Sequence, residues 1–100
     1  MTDLLHFFEA ASEEAEEARR WYRDRSESAE AAFLNELDHA TAVVLEAPHR
    51  WPKHIAGTRR YVFPTFPYSL VYFQENEIVH VVAVAHEKRR PGYWRERLRQ

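Results

Sequence analysis

Residues 77–86 read "EIVHVVAVAH", and this run decides the fold. Nine of its residues are apolar or histidine, with β-branched valine at four positions. Strict alternation places Ile78, His80, Val82 and Val84 on one face and Val79, Val81, Ala83 and Ala85 on the other. Both sets are largely apolar, so the strand is central and covered on both sides. Two covers are therefore required, and the rest of the chain has to supply them.

Immediately upstream, "QENE" (74–77) reads as a turn. "YSLVYFQ" (68–74) and "RRYVFPTF" (59–66) read as two further strands. Pro64 and Pro67 confine that hairpin end to a sheet edge or a bulge, because proline cannot donate to a ladder. The segment 48–60 reads as a loop. It carries two prolines and one of the two glycines.

The first half supplies helices. "SEEAEEARRWYRDR" (12–25) predicts a helix with Ser12 as N-cap and Glu13 and Glu14 at its positive end. Ala11, Ala15, Ala18 and Tyr22 form its apolar stripe. Glu16 is placed to pair with Arg20 one turn on. "SESAEAAFLNELDHATAVVLEAP" (26–48) predicts a second helix, capped by Ser26, with Phe33, Leu37, Ala40 and Val44 buried and Pro48 beyond its end. The connection is so short that the two helices form an antiparallel hairpin. "DLLHFFEA" (3–10) reads as an initial strand. The expected order is β-α-α-β-β-β with a short C-terminal helix, an α+β domain whose helical hairpin packs on a small, largely antiparallel sheet. One hundred residues make a single domain, 1–100. The hairpin covers one face of the central strand. For the other face only the tail "PGYWRERLRQ" (91–100) or a partner is left.

Composition narrows the function. There is no cysteine, which excludes disulfides and thiolate sites and suits a reducing cytoplasm. The N-terminus has no basic segment followed by a long apolar run, so no signal peptide is expected, and no stretch is long enough to span a bilayer. The six histidines are scattered without a metal-ligand spacing, so neither a metal nor a cofactor is expected. The net charge of −2 conceals a split. Residues 1–47 hold twelve acids against four arginines, and residues 48–100 hold ten bases against four glutamates. Such a split points either to an anionic target for the second half or to mutual neutralisation of the halves.

The cations gather at Arg50, Lys53, Arg59 and Arg60 and again at Lys88, Arg89 and Arg90. In a meander the start of one strand and the end of another can share one sheet edge, so Arg59 and Arg60 can meet Lys88 to Arg90 in one patch. Trp51, Tyr61, Tyr93 and Trp94 are interleaved with them. Arginine binds phosphate bidentately and aromatic rings stack on unpaired bases, so a metal-free ribonuclease could be built here, with His or Tyr moving protons. The structural alternatives stand beside this. Tyr61, Tyr68 and Tyr72 suit packing. Trp51 suits a loop plug against the helices, and His80 a core position. The arginine run suits a solvated edge that resists aggregation. His86, at the strand end, is the histidine best placed for function.

Three stretches carry a family resemblance. They are "EEAEEARRWYRDRSESAEAAFLNELDHA" (13–40), "APHRWPKHIAGTRRYVFPTFPYSLVYF" (47–73) and "VAVAHEKRRPGYW" (82–94). In this order they resemble the RelE/ParE family of bacterial toxins from type II toxin–antitoxin modules, nearly end to end. The resemblance implies a cytoplasmic growth inhibitor held by a cognate antitoxin in a hetero-oligomer, with no membrane partner. It implies one of two targets. ParE-like members act on DNA gyrase. RelE-like members cut mRNA on the ribosome without a metal. For the second class the matching positions are Arg60 and Arg89 as phosphate stabilisers, Lys53 as a further cation, and His86 or Tyr93 as acid–base groups. Two features favour the gyrase class. The pI is about 6.3, whereas nucleases of the family tend to be basic. Ser69 stands where they commonly carry arginine. The binding surface is then expected at Lys53, Arg59, Arg90 and Trp94 together with Arg89. A third reading is an inactive remnant that only binds an antitoxin.

Overall fold

The computed structural model describes residues 4–99. Strand β1 (Leu5–Phe7) is followed by helices α1 (Glu9–Arg23) and α2 (Glu27–Glu46). A short 3₁₀ turn (Ile55–Gly57) leads into β2 (Arg59–Val62), β3 (Tyr68–Glu75) and β4 (Ile78–His86), and a second 3₁₀ turn (Arg95–Arg99) ends the tail. The sheet order is β1-β4-β3-β2. β1 is parallel to β4, and the other pairings are antiparallel. The expected α+β order holds, with a 3₁₀ turn in place of the C-terminal helix. Asp3, the expected start of β1, lies outside the described residues.

α1 begins earlier than expected. Its N-cap is Phe8, with extended backbone and no side-chain cap, and Ser12 lies a turn inside the helix. Ala10 and Ala11 are strong helix formers, so the helix continues back to the strand end. Ser26 does cap α2: its hydroxyl accepts from the Ala29 N–H at 3.0 Å. Glu16 bonds chiefly to Arg19, and Arg20 approaches it only to 3.6 Å.

The main core lies between the helical hairpin and the sheet. Ala11, Ala18, Phe33, Ala40 and Val44 meet Leu70, Tyr72, Val79, Val81 and Val84. Phe33 is its centre. Its ring stacks on Tyr22 at 5.3 Å and meets Phe66 and Tyr68 edge-on at 5.5 and 5.4 Å. Truncating such a ring costs about 3–5 kcal/mol. Trp51 plugs the loop as expected, edge-on to Tyr61 at 4.7 Å.

A smaller core on the opposite face is made by Val71, Val82, Ala83 and Trp94. β4 is thus central and covered on both sides, but its alternation is broken. Tyr72 pairs with Val81 and Val71 with Ala83, so Val82 is the extra residue of a bulge. The bulge shifts the pattern by one. Val79, Val81 and Val84 all join the helix-side core, whereas Val82 and Ala83 both join the other. The single alternating set expected for Val82 and Val84 is therefore corrected. The apolar character of both faces made the two registers equally acceptable.

β3 and β4 are joined by Asn76 and Glu77, both with positive φ, 54° and 65°. This is the geometry of a two-residue hairpin turn that favours Asn-Gly. Glu77 holds a left-handed conformation that costs an L-residue about 1 kcal/mol. Replacing Glu77 with glycine should raise the stability of the chain by about 0.5–1 kcal/mol, read as an increased urea midpoint at unchanged slope.

Candidate functional site: a cationic edge locked by Glu14

β1 pairs with only three residues of β4, Val79 to Val81. Beyond it, the next stretch of β4 has no strand on that side. Side chains take the place of one. The Glu14 carboxylate accepts the Val84 N–H at 3.1 Å, and the Arg97 guanidinium donates to the Val82 carbonyl at 3.0 Å. Arg97 and Glu14 also bond each other at 2.9 and 3.0 Å, and the Tyr93 hydroxyl donates to Glu14 at 2.5 Å. α1 and the tail are thereby clamped across the open edge of β4.

The clamp sets the chemistry of the segment 86–97. Burial is the main cause that pushes the Tyr93 phenol well above its usual range, and its bond to the Glu14 carboxylate adds to the effect. Its ring lies under the Arg89 guanidinium at 4.0 Å. Trp94 is 2% exposed, packed in the second core. The expectation that Trp94 anchors a partner is corrected, since its indole faces Val71, Val82 and Ala83 and offers no surface. His86 accepts the Lys88 N–H on Nδ1 at 3.1 Å, which leaves Nε2 as its protonated nitrogen when neutral. Its ring meets Tyr68 edge-on at 5.0 Å.

Two recesses flank this segment. The smaller, about 80 Å³, is lined by Arg60, Arg89, Arg90, His86 and Tyr93, with Ser69 in its wall. The register explains the meeting. Arg60 on β2 lies opposite Val71, which lies opposite Ala83. Sequence reasoning missed His54, which lines the same recess, tilted against Trp94 at 5.9 Å. Burial and the positive charge of Arg60 depress its pKa. No spacing rule links His54 to His86; the folded path of the loop brings both to the recess wall. The larger recess, about 400 Å³, lies between α1 and the β3–β4 end, with Trp21, Tyr22 and Tyr68 among its apolar walls and Lys88 and Arg89 in its lining. A third hollow, about 530 Å³, is lined by none of Arg60, His86, Arg89 or Arg90.

Arg59 and Lys53 do not join this cluster. Arg59 alternates to the other face of β2 and donates to the Trp51 carbonyl at 2.7 Å. The expected union of Arg59 with Arg60 and the 88–90 run is corrected, because consecutive strand residues point oppositely. Lys53 is exposed on the loop and makes a single bridge to Arg59. Among the described residues, the ion pairs join Arg19 to Glu16 and Glu30, Arg20 to Glu16, and Arg97 to Glu14. None involves Arg60, Lys88, Arg89 or Arg90. Neutralisation between the halves is thus confined to Glu14–Arg97, and the exposed edge keeps its positive charge. No group of three or more metal-ligating side chains occurs among the described residues, and no helix there is long and apolar enough to cross a membrane.

A family model described as the ParE toxin of the type II toxin–antitoxin system parDE matches residues 5–91. The chain belongs to the ParE toxin family. The fold agrees with that placement. A solved structure described as the chromosomal ParDE toxin–antitoxin system from P. aeruginosa superposes with a TM-score of 0.71 at 11% identity, over 82% of this chain and 92% of that one. No curated protein sequence matches. As a ParE-family toxin of a type II module, the chain has a cognate antitoxin as its implied partner.

One test addresses the Glu14 clamp and a second the buried tyrosines. Glu14→Ala removes the ion-pair partner of Arg97 and the acceptor of the Val84 amide. It should destabilise the chain by about 2–3 kcal/mol in urea and speed hydrogen exchange at Val84. Alkaline titration is the second. Burial pushes Tyr68 and Tyr72 up to about 12, and Tyr93 also rises. Unfolded tyrosine releases its proton near pH 10, roughly, so above that the native chain binds more protons than the unfolded one. Stability should therefore fall as pH rises from about 10 to 12. Phenolate absorbance should show these tyrosines ionising only as the fold is lost.

Proposed function

We propose that this toxin is ParE-like in action and inhibits DNA gyrase by docking its cationic edge, with Arg60, Arg89 and Arg90 as the contact residues. The observation that carries the reading is the state of Tyr93. A ribonuclease needs a group poised to exchange protons near neutral pH. Here the phenol is committed to Glu14, and its pKa moves away from neutrality. Ser69 supports the same reading, since it brings no cation to the recess wall. The exposed arginines suit docking, because arginine is enriched among interface hot spots.

The RelE-like alternative has one specific observation in its favour. Arg60, Arg89, His54 and His86 line one small recess of about 80 Å³, in which a phosphate could be held and protons moved. In that reading the chain would be a metal-free mRNA endoribonuclease acting on the ribosome, with Arg60 and Arg89 on the phosphate and His86 on the proton. The inactive remnant is the third outcome.

Inducing the chain without its antitoxin, with RNA 5′ ends mapped minutes later, separates them. Growth arrest without new codon-phased ends is expected, together with inhibition of supercoiling by purified gyrase. Arg89→Ala combined with Arg90→Ala should raise the inhibitory concentration about tenfold or more. New in-frame ends that vanish with Arg60→Ala would overturn the gyrase reading, and absence of arrest would leave the remnant.

A further inference from the structure

The face of the sheet away from the helices is only partly covered by the tail. Beyond Trp94 it carries a row of rings across three strands. His6 on β1 pairs in register with His80 on β4, and His80 pairs with Phe73 on β3. Residues in register on adjacent strands point to the same face. The two imidazoles accordingly meet, with Nδ1 of His6 3.0 Å from Nδ1 of His80. They are 74 positions apart in the chain, so no ligand spacing announces them.

Both rings are held by neighbours. Phe73 stacks on His80 at 4.9 Å and 18°. Phe8 flanks both imidazoles, at 5.8 Å from His6 and 6.4 Å from His80. Phe8 is itself fixed, because it caps α1 and donates its N–H to the Val81 carbonyl. The pair is thus built into the β1–β4 junction on an apolar floor, and one side of it faces solvent.

We infer that His6 and His80 form a two-imidazole site for a single divalent transition ion of the imidazole-preferring class, with water completing the coordination. A metal–nitrogen bond of about 2.0–2.1 Å places two adjacent ligand nitrogens about 2.9–3.4 Å apart. The observed 3.0 Å lies within that range. Without metal, one Nδ1–H donates to the other Nδ1. On binding, the donor ring moves its proton from Nδ1 to Nε2, so both Nδ1 lone pairs turn to the metal and no net charge leaves the protein. Copper(II) is the strongest binder of the series and serves as the probe. The ion would act as a clasp. β1 is three residues long and is the part of the sheet with the fewest ladder bonds to hold it. A bridge from His6 to His80 fastens it to the central strand.

The experiment uses the full-length chain without an affinity tag and one equivalent of copper(II). The expected result is a frozen-solution electron paramagnetic resonance spectrum with hyperfine splitting from two equatorial nitrogens. A concentration-dependent rise in Tm should accompany it. His6→Gln should lower copper affinity at least tenfold and remove the two-nitrogen pattern. His6 is exposed on an edge strand, so this variant keeps the fold. His54→Gln should leave spectrum and Tm shift unchanged. Copper binding that is equal in the chain and in His6→Gln would overturn the assignment. So would a spectrum that changes with His54→Gln instead, or no binding in the micromolar range. Nickel(II) and zinc(II) titrations then rank the ions at the same pair.

Discussion

The structure depends on how the open edge of β4 is satisfied. β4 is buried on both faces, and buried backbone groups must find partners. β3 serves one edge for the whole length of β4. β1 serves the other edge for three residues and then turns into α1. A longer β1 would have completed the ladder. Instead a carboxylate from the second turn of α1 and a guanidinium from the tail act as the missing acceptor and donor. Glu14 and Arg97 also neutralise each other there, so neither is left as a lone charge in a half-buried place.

That arrangement dictates where the cations go. To bring Arg97 to β4, the tail must fold back over the sheet, and in doing so it lays Trp94 onto Val71, Val82 and Ala83. Gly92 permits the reversal: its φ is +78°, and an added Cβ would stand 3.1 Å from the Arg95 side chain. Residues between the strand end and this reversal have no core to enter. Lys88, Arg89 and Arg90 are exposed for that reason, and Arg60 reaches them because β2 and β4 flank the same strand. The cationic edge is a consequence of how the second core is closed.

Much of this was legible in the chain. The helical hairpin, the three-strand meander and the burial of Phe33, Ala40 and Val44 follow from spacing, and Ser26 caps α2 as its type and position suggest. The two helix ends differ in legibility for a physical reason. Ser26 is the first polar residue after a tight turn, whereas Ser12 follows alanines that extend the helix at no cost. The bulge at Val82 was hidden because both faces of β4 are apolar, so a shift of one residue violates no pattern. Trp94 was misplaced because a tryptophan beside arginines has the composition of an interface; the glycine-mediated reversal, which exists only in three dimensions, makes it core. The meeting of His6 with His80 depends on register alone, and His54 reaches the recess of His86 only through the path of its loop.

The segment from His86 to Arg97 therefore serves two structures at once. Its aromatic residues and Arg97 face inward and hold the fold, while its remaining cations face outward. A nuclease reading that relies on Tyr93 asks it to belong to both sets, holding Glu14 in the fold and exchanging protons with a substrate. The geometry favours the first role, because releasing the phenol would uncover the carboxylate that completes the edge of β4. A docking reading makes no such demand. It uses only side chains that the fold already leaves outside, and it lets the clamp remain closed while the toxin engages its target.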